Sequence, residues 1–190
     1  LAATAARVGA FPFPVALSRD AAFGPALPAG GYTVHVTGAD GTGGVALTEI
    51  YDATPAPEIT EQRPRLLNLS VQTKADAATP VIVGFALGGA QSKQILVRAT
   101  GPSLAAFGVQ GVLADVQLAL FREQTRLAEN DDWAGTAALR AAFESVGAFA
   151  LASDGSKDSA LVATLSPGTY TVQVRGVGAA AGLVLVEIYE

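Results

Sequence analysis

The side chains best able to do chemistry in this sequence are a few acids and one histidine. Glu49 and Glu187 occupy equivalent places in two repeated segments, and paired carboxylates across a cleft can hydrolyse a glycosidic bond. A Ser–His–Asp triad would need the only histidine, His35, whose repeat counterpart is Gln173. A glutamate in an alternating strand usually pairs with a cation or lies in water, and Arg98 is the best partner for Glu187. We therefore predict no enzyme activity and a structural Arg98–Glu187 ion pair.

Two acidic turns could bind a hard cation. Calcium takes several oxygen ligands, often from neighbouring loops, and the two turns supply such oxygens. Asparagine and aspartate also favour turns because they bond their own backbone and cap the following segment. Both interpretations stay open, and calcium is the one cofactor that the sequence offers. The candidate ligands are Asn130, Asp131, Asp132, Asp154 and Asp158.

Trp133 is the only tryptophan and follows the first acidic turn directly. An exposed indole ring can stack on the face of a sugar, which would make Trp133 a carbohydrate-binding residue. A tryptophan just before a helix can instead cover the edge of the hydrophobic core. Exposure of the ring decides between these two interpretations.

An internal repeat determines how these residues are organised. A shift of 138 positions aligns residues 1–52 with residues 139–190 without a gap, and 21 of the 52 aligned pairs are identical. Residues 62–138 have no counterpart before Leu1, so the first copy lacks about 77 residues and looks truncated. We expect residues 1–52 to be the C-terminal half of one β-sandwich repeat, 53–61 a Pro-rich linker and 62–190 a complete repeat.

The complete repeat has the pattern of short strands. Alternation of apolar and polar residues predicts strands at 66–71, 81–87, 94–99, 116–121, 125–128, 160–165, 169–175 and 183–189. One helix interrupts them at 137–146, where Thr136 can cap an apolar stripe. The fold class predicted is all-β, an antiparallel jelly-roll-like β-sandwich with one short helix.

Several motifs in these strands carry a family resemblance. LALF at 118–121, LAENDD at 127–132 and LSPGTYTVQV at 165–174 resemble the bacterial pre-peptidase C-terminal domain. The longer pattern that includes ILVRATGPSL at 95–104 is similar to tandem modules in large secreted or surface proteins of Verrucomicrobia-like bacteria. The resemblance implies export, a tandem arrangement and a non-catalytic role, and it supplies no catalytic residues.

The amino-acid composition and the net charge exclude several classes of function. The net charge is −5 and the 12 Lys and Arg are scattered, which argues against nucleic-acid binding. No apolar run is long enough to span a membrane, and there is no cysteine for disulfides. We expect an extracellular or cell-surface module that acts as a spacer, an adhesive or an interaction domain, with neighbouring copies as partners. The alternatives are a polysaccharide-binding module and a fibre subunit that assembles by strand complementation.

Overall fold

The computed structural model describes residues 1–13, 18–60 and 62–190. The chain divides into two compact units, residues 1–66 and residues 67–190, which are considered separately below. The predicted linker at 53–61 falls in the first unit and holds a short 3-10 helix at Ala56–Glu58; its last position, Glu61, lies outside the described residues. Positions 14–17 of the first repeat copy also lie outside them.

The second unit is a sandwich of two antiparallel four-stranded sheets, which confirms the predicted all-β class. One sheet has the strand order β1-β8-β3-β6, and the other has the order β2-β7-β4-β5. The strands are β1 (Asn68–Ala75), β2 (Val81–Leu87), β3 (Lys93–Thr100), β4 (Val116–Arg122), β5 (Thr125–Asn130), β6 (Ser159–Leu165), β7 (Gly168–Gly176) and β8 (Gly182–Tyr189).

Alternating side chains build the core between the sheets. In β4, Val116, Leu118 and Leu120 are fully buried, while the residues between them are only partly covered. In β7, Tyr170 and Val172 are also buried, and the residue between them is only partly covered. Side chains two apart on a strand share a face, so these residues meet their counterparts from the opposite sheet.

Strand β3 differs because both of its faces are covered. Residues 95–100 are all buried, with Ile95 and Val97 in the main core and Leu96 in a second apolar cluster on the outer face of the sheet. Helix α2 (Ala137–Ser145) provides Phe143 to that second cluster. The helix was predicted one residue longer, and its cap forms as expected, with the Thr136 hydroxyl accepting the Leu139 N–H.

Two details differ from the predicted pattern of elements. The segment between the strands predicted at 94–99 and 116–121 contains a 3-10 helix at Pro102–Phe107, which ends at Gly108 in a left-handed conformation. Strand β1 starts at Asn68 rather than at residue 66 and continues to Ala75. It is longer because it pairs along its whole length with β8, a partner that local patterning does not reveal.

The first unit contains helix α1 (Ala2–Val8) and no strand among its described residues. Its segments that align with β6, β7 and β8 therefore lack the strands expected of half a sandwich. The second unit gives the physical reason. There β6 pairs with β3, β7 pairs with β2 and β4, and β8 pairs with β1 and β3. Every pairing partner comes from the part of the module that the first copy does not repeat.

Two names follow from this division. Residues 67–138, with β1 to β5, are called the frame, and residues 139–190, with β6 to β8 and most of α2, are called the closing half. No strand of the closing half pairs with another strand of the closing half. Strands of the frame and of the closing half alternate in each sheet, and β4 with β5 is the one pair formed within a single segment. The ladders of the closing half therefore form only with strands of the frame.

Candidate functional site

The most elaborate polar group in the second unit joins β3 to β8. Arg98 is fully buried and lies opposite Glu187 in the strand register. Its Nε and Nη2 donate to the same carboxylate oxygen, Glu187 Oε2, at 3.0 and 2.6 Å, and its Nη1 donates to the Phe149 carbonyl at 2.5 Å. Tyr189 donates its hydroxyl to the other oxygen, Oε1. The group thus consists of three side chains and one backbone carbonyl.

Aromatic rings enclose the guanidinium group. Its carbon lies 4.2 Å from the ring centre of Phe149 and 4.8 Å from that of Phe143. A desolvated cation over an aromatic face gains more than an exposed one, so the rings partly offset the loss of water. Burial, followed by the hydrogen bond to Glu187, raises the pKa of Tyr189 well above its ordinary value. The two charged side chains have almost no contact with solvent, since Arg98 is 0% and Glu187 4% exposed.

Asp158 is a second buried group, and it fastens the closing half to the turn after β3. Its carboxylate accepts the backbone N–H groups of Gly101 at 2.8 Å and Ser103 at 3.3 Å. It also accepts the hydroxyls of Ser103 and of Ser156. Ser103 in turn accepts the Ala152 N–H at 2.8 Å. The sequence analysis did not identify the two serines, although Ser156 and Asp158 are both identical to their repeat counterparts.

Three of the other four proposed calcium ligands have a local partner. Asp132 accepts from Lys157 Nζ at 2.6 Å, which raises the pKa of that lysine, and Asp154 pairs with Arg140 at 2.6 Å. Asn130 accepts the Ala160 N–H through Oδ1 and donates to the Asp132 carbonyl. Asp131 is exposed.

These residues therefore do not assemble into one site with Asp158. In the described part of the chain, no group of three or more His, Cys, Asp or Glu side chains is arranged to hold a metal ion. Ion pairs with Lys157 and Arg140 involve Asp132 and Asp154, and hydrogen bonds to nearby backbone groups involve Asn130.

The burial of Trp133 contradicts the predicted carbohydrate-binding role of this residue. Its side chain is only 2% exposed and stacks on Phe143, with ring centres 5.6 Å apart. The indole N–H donates to the Ser153 carbonyl and the Ser156 hydroxyl, both at 3.0 Å. An indole with a buried ring and a satisfied N–H covers the core, and it offers no stacking surface for a sugar.

Comparisons with known proteins add a similarity of fold. No protein-family model matches the sequence, and no curated protein matches it either. Among solved structures, the chain is similar to the pre-peptidase C-terminal domain of a collagenase from Bacillus anthracis. The two share 13% sequence identity with a TM-score of 0.39, over 67% of this chain and 99% of that one. The assignment of a β-sandwich rests on the strand pairings described above.

A bilayer requires a certain length and hydrophobicity of the helices that span it. None of the helices in the described part of the chain has both the length and the apolar character needed to cross a bilayer.

Proposed function

We propose that this chain is a non-catalytic β-sandwich module that makes contacts within a larger secreted or cell-surface protein. One observation carries the proposal. The buried charged side chains of the second unit are Arg98, Asp158 and Glu187, and each is held by hydrogen bonds within the sandwich. A catalytic acid, base or nucleophile must reach a substrate, and these three groups face the protein interior.

The two ends of the second unit lie close together, which favours a contact module over a spacer. Asn68 at the start of β1 lies directly opposite Tyr189 at the end of β8. Opposed residues in an antiparallel pair have Cα atoms about 5 Å apart. A module whose two ends nearly coincide adds little length to a tandem array. It instead hangs beside the connecting chain and presents its outer faces to its neighbours.

Export is supported by the resemblance of the motifs at 95–104, 118–121 and 165–174 to modules of secreted bacterial proteins. The partners proposed are other modules of the same kind, in the same polypeptide or in a neighbouring one. Trp133 gives no support to a polysaccharide partner, because its ring is buried.

Two measurements test this function. The full chain and its Glu187→Gln and Asp158→Asn variants are incubated with chromogenic ester, glycoside, peptide and phosphoester substrates. We expect rates equal to those of buffer alone; turnover by the wild type that a folded Glu187→Gln variant loses would refute the non-catalytic role. Surface proteolysis and fractionation of the producing cells then locate the protein, and recovery only inside the cells would refute export.

A further inference from the structure

The first unit keeps the local structure of a closing half. Helix α1 ends at Gly9 (φ 76°), and the aligned Gly147 has φ 69° after helix α2. The Ala10 N–H donates to the Ala5 carbonyl at 3.0 Å, and the aligned bond from Ala148 N–H to Phe143 carbonyl is 2.9 Å. The helix end is thus built in the same way in both copies, with the same left-handed glycine.

Two tyrosines repeat their contacts as well. The Tyr32 hydroxyl donates to the Pro28 carbonyl at 2.8 Å, as the Tyr170 hydroxyl donates to the carbonyl four residues earlier at 2.7 Å. The Tyr51 hydroxyl donates to Glu49 Oε1 at 2.8 Å, as Tyr189 donates to Glu187. Residues 1–52 therefore differ from the closing half in their strand pairing rather than in these local contacts.

The apolar side chains of the first unit are exposed at positions that are buried in the closing half. Val34 is 43% exposed, and its counterpart Val172 is 0% exposed. Ile50 is 50% exposed against 6% for Ile188. The same relation holds for four other pairs: Phe23 with Leu161, Leu27 with Leu165, Tyr32 with Tyr170 and Val36 with Val174. Large apolar side chains that are exposed at positions which the sandwich buries are available for an interaction with another segment.

Two acids that contact the frame in the closing half are unchanged in the first unit. Glu49 and Asp20 align with Glu187 and Asp158, whose partners Arg98 and Ser103 belong to the frame. Both acids are exposed in the first unit, where each accepts a hydroxyl from a residue two positions away.

Gly44 is a third residue of this kind. It aligns with Gly182, where an added Cβ would lie 2.6 Å from the Gly111 carbonyl oxygen and the Leu113 nitrogen of the frame. Around Gly44 the same Cβ would meet nothing within 4 Å. Glycine is required at this position only when a frame segment passes close by.

We propose that residues 1–52 dock as a closing half into a second frame of the β1–β5 type. That frame would carry an arginine at the position of Arg98 to pair with Glu49, and a Gly-Pro-Ser turn equivalent to 101–103 to bind Asp20. Pro25 aligns with Ala163, whose register with Ile95 directs its N–H toward β3, so docking would proceed with one ladder hydrogen bond fewer at this outer strand than in the closing half. The frame at 67–138 is already filled by residues 139–190, so the partner is another frame. The inference goes beyond the proposed function and does not depend on it.

The test supplies that frame directly. A second copy of residues 62–138 is fused before Leu1 of the full chain, at the spacing found in the complete repeat, and a shuffled 62–138 sequence serves as the matched control. Amide hydrogen exchange with mass spectrometry reads residues 32–37 and 46–51, which align with β7 and β8. We expect exchange there to slow by at least about 100-fold relative to the unfused chain and the shuffled control, because strand pairing protects amides.

Charge variants show whether docking uses the proposed contacts. The Arg98→Leu substitution is made only in the fused copy of residues 62–138, and it should abolish most of the protection of residues 46–51. Adding Glu49→Leu to that variant should restore the protection. Residues 67–190 provide the folding control within each molecule.

Two results would overturn the proposal. One is rapid exchange of residues 32–37 and 46–51 in the fused chain while residues 67–190 stay protected. The other is strong protection of these segments in the unfused chain, whether as a monomer or as a dimer, since the only frame it contains is filled by its own closing half.

Discussion

The pair formed by Arg98 and Glu187 makes a quantitative prediction about stability. The Arg98→Leu variant leaves the Glu187 carboxylate, 6% exposed, with only the Tyr189 hydroxyl as a side-chain donor. Breaking a buried ion pair by removing one partner costs about 3–5 kcal/mol. That is a large part of the roughly 5–15 kcal/mol by which a domain is stable.

The two single variants should not cost the same. Glu187→Leu strands a guanidinium group whose remaining acceptor is the Phe149 carbonyl. A carboxyl group can escape burial as an ion by accepting a proton, whereas arginine cannot lose one in a protein. We therefore expect Glu187→Leu to be the more destabilising variant at neutral pH.

The double variant separates charge from packing. Replacing both residues by leucine removes the two buried charges together and leaves an apolar surface against Phe143 and Phe149. Such replacements are often neutral or stabilising. The Phe149 carbonyl loses a donor, at a cost of about 1–3 kcal/mol. We expect the double variant to lie within about 2 kcal/mol of the wild type, well above either single variant.

The assay uses the chain's own reporter. Trp133 is the only tryptophan, and its ring stacks on Phe143, which lies under the Arg98 guanidinium. Urea unfolding followed by its fluorescence gives the free energy of each variant. Two results would refute the reasoning: a single variant that loses less than about 1 kcal/mol, or a double variant as unstable as Glu187→Leu, because either would show that charge burial does not dominate.

Three further predictions address the neighbouring groups. Tyr189 has a raised pKa in the folded state, so its contribution to the free energy of unfolding is present below the ordinary tyrosine pKa of about 10 and is lost as the pH rises above it. Tyr189→Phe should therefore reduce the loss of unfolding free energy between about pH 10 and 12. An unchanged slope in that range would contradict this prediction. Trp133→Phe leaves two acceptors without a donor and should cost at least about 1–3 kcal/mol by thermal circular dichroism, with unchanged retention on immobilised polysaccharide. Asp158→Asn should cost about 2–4 kcal/mol of unfolding free energy, since an amide cannot accept all four donors. A thermal unfolding midpoint that calcium raises in the wild type but not in this variant would contradict a purely structural role for Asp158.

The strands of the second unit could be predicted because their burial is periodic. The pattern in β4 and β7 follows from alternating valine, leucine and polar residues, and the Thr136 cap sets the start of α2. What the sequence could not give is which strands pair. The positions of β1 and β8 are more than a hundred residues apart, and only the folded chain brings Asn68 opposite Tyr189.

The polar residues were harder to interpret for a related reason. Asp158 looks like a turn residue or a calcium ligand when it is read locally, because its donors at Gly101 and Ser103 lie more than fifty positions away. Trp133 has the same difficulty, since nothing local reveals that Phe143 and Ser153 enclose it. The internal repeat held a usable signal. Asp20 and Ser18 match Asp158 and Ser156, which marks that pair as belonging to the architecture rather than to one loop.

The pairing of Asn68 with Tyr189 also determines how the module responds to tension. A force applied at the two ends of the second unit pulls β1 and β8 apart at the same end of their ladder. The hydrogen bonds of the ladder then break one after another instead of sharing the load. The module would open at low force and release about 400 Å of extended chain. Closure of the same ladder would take that length back. Opening and closing of this ladder would therefore limit the tension that reaches the chain attached to the module.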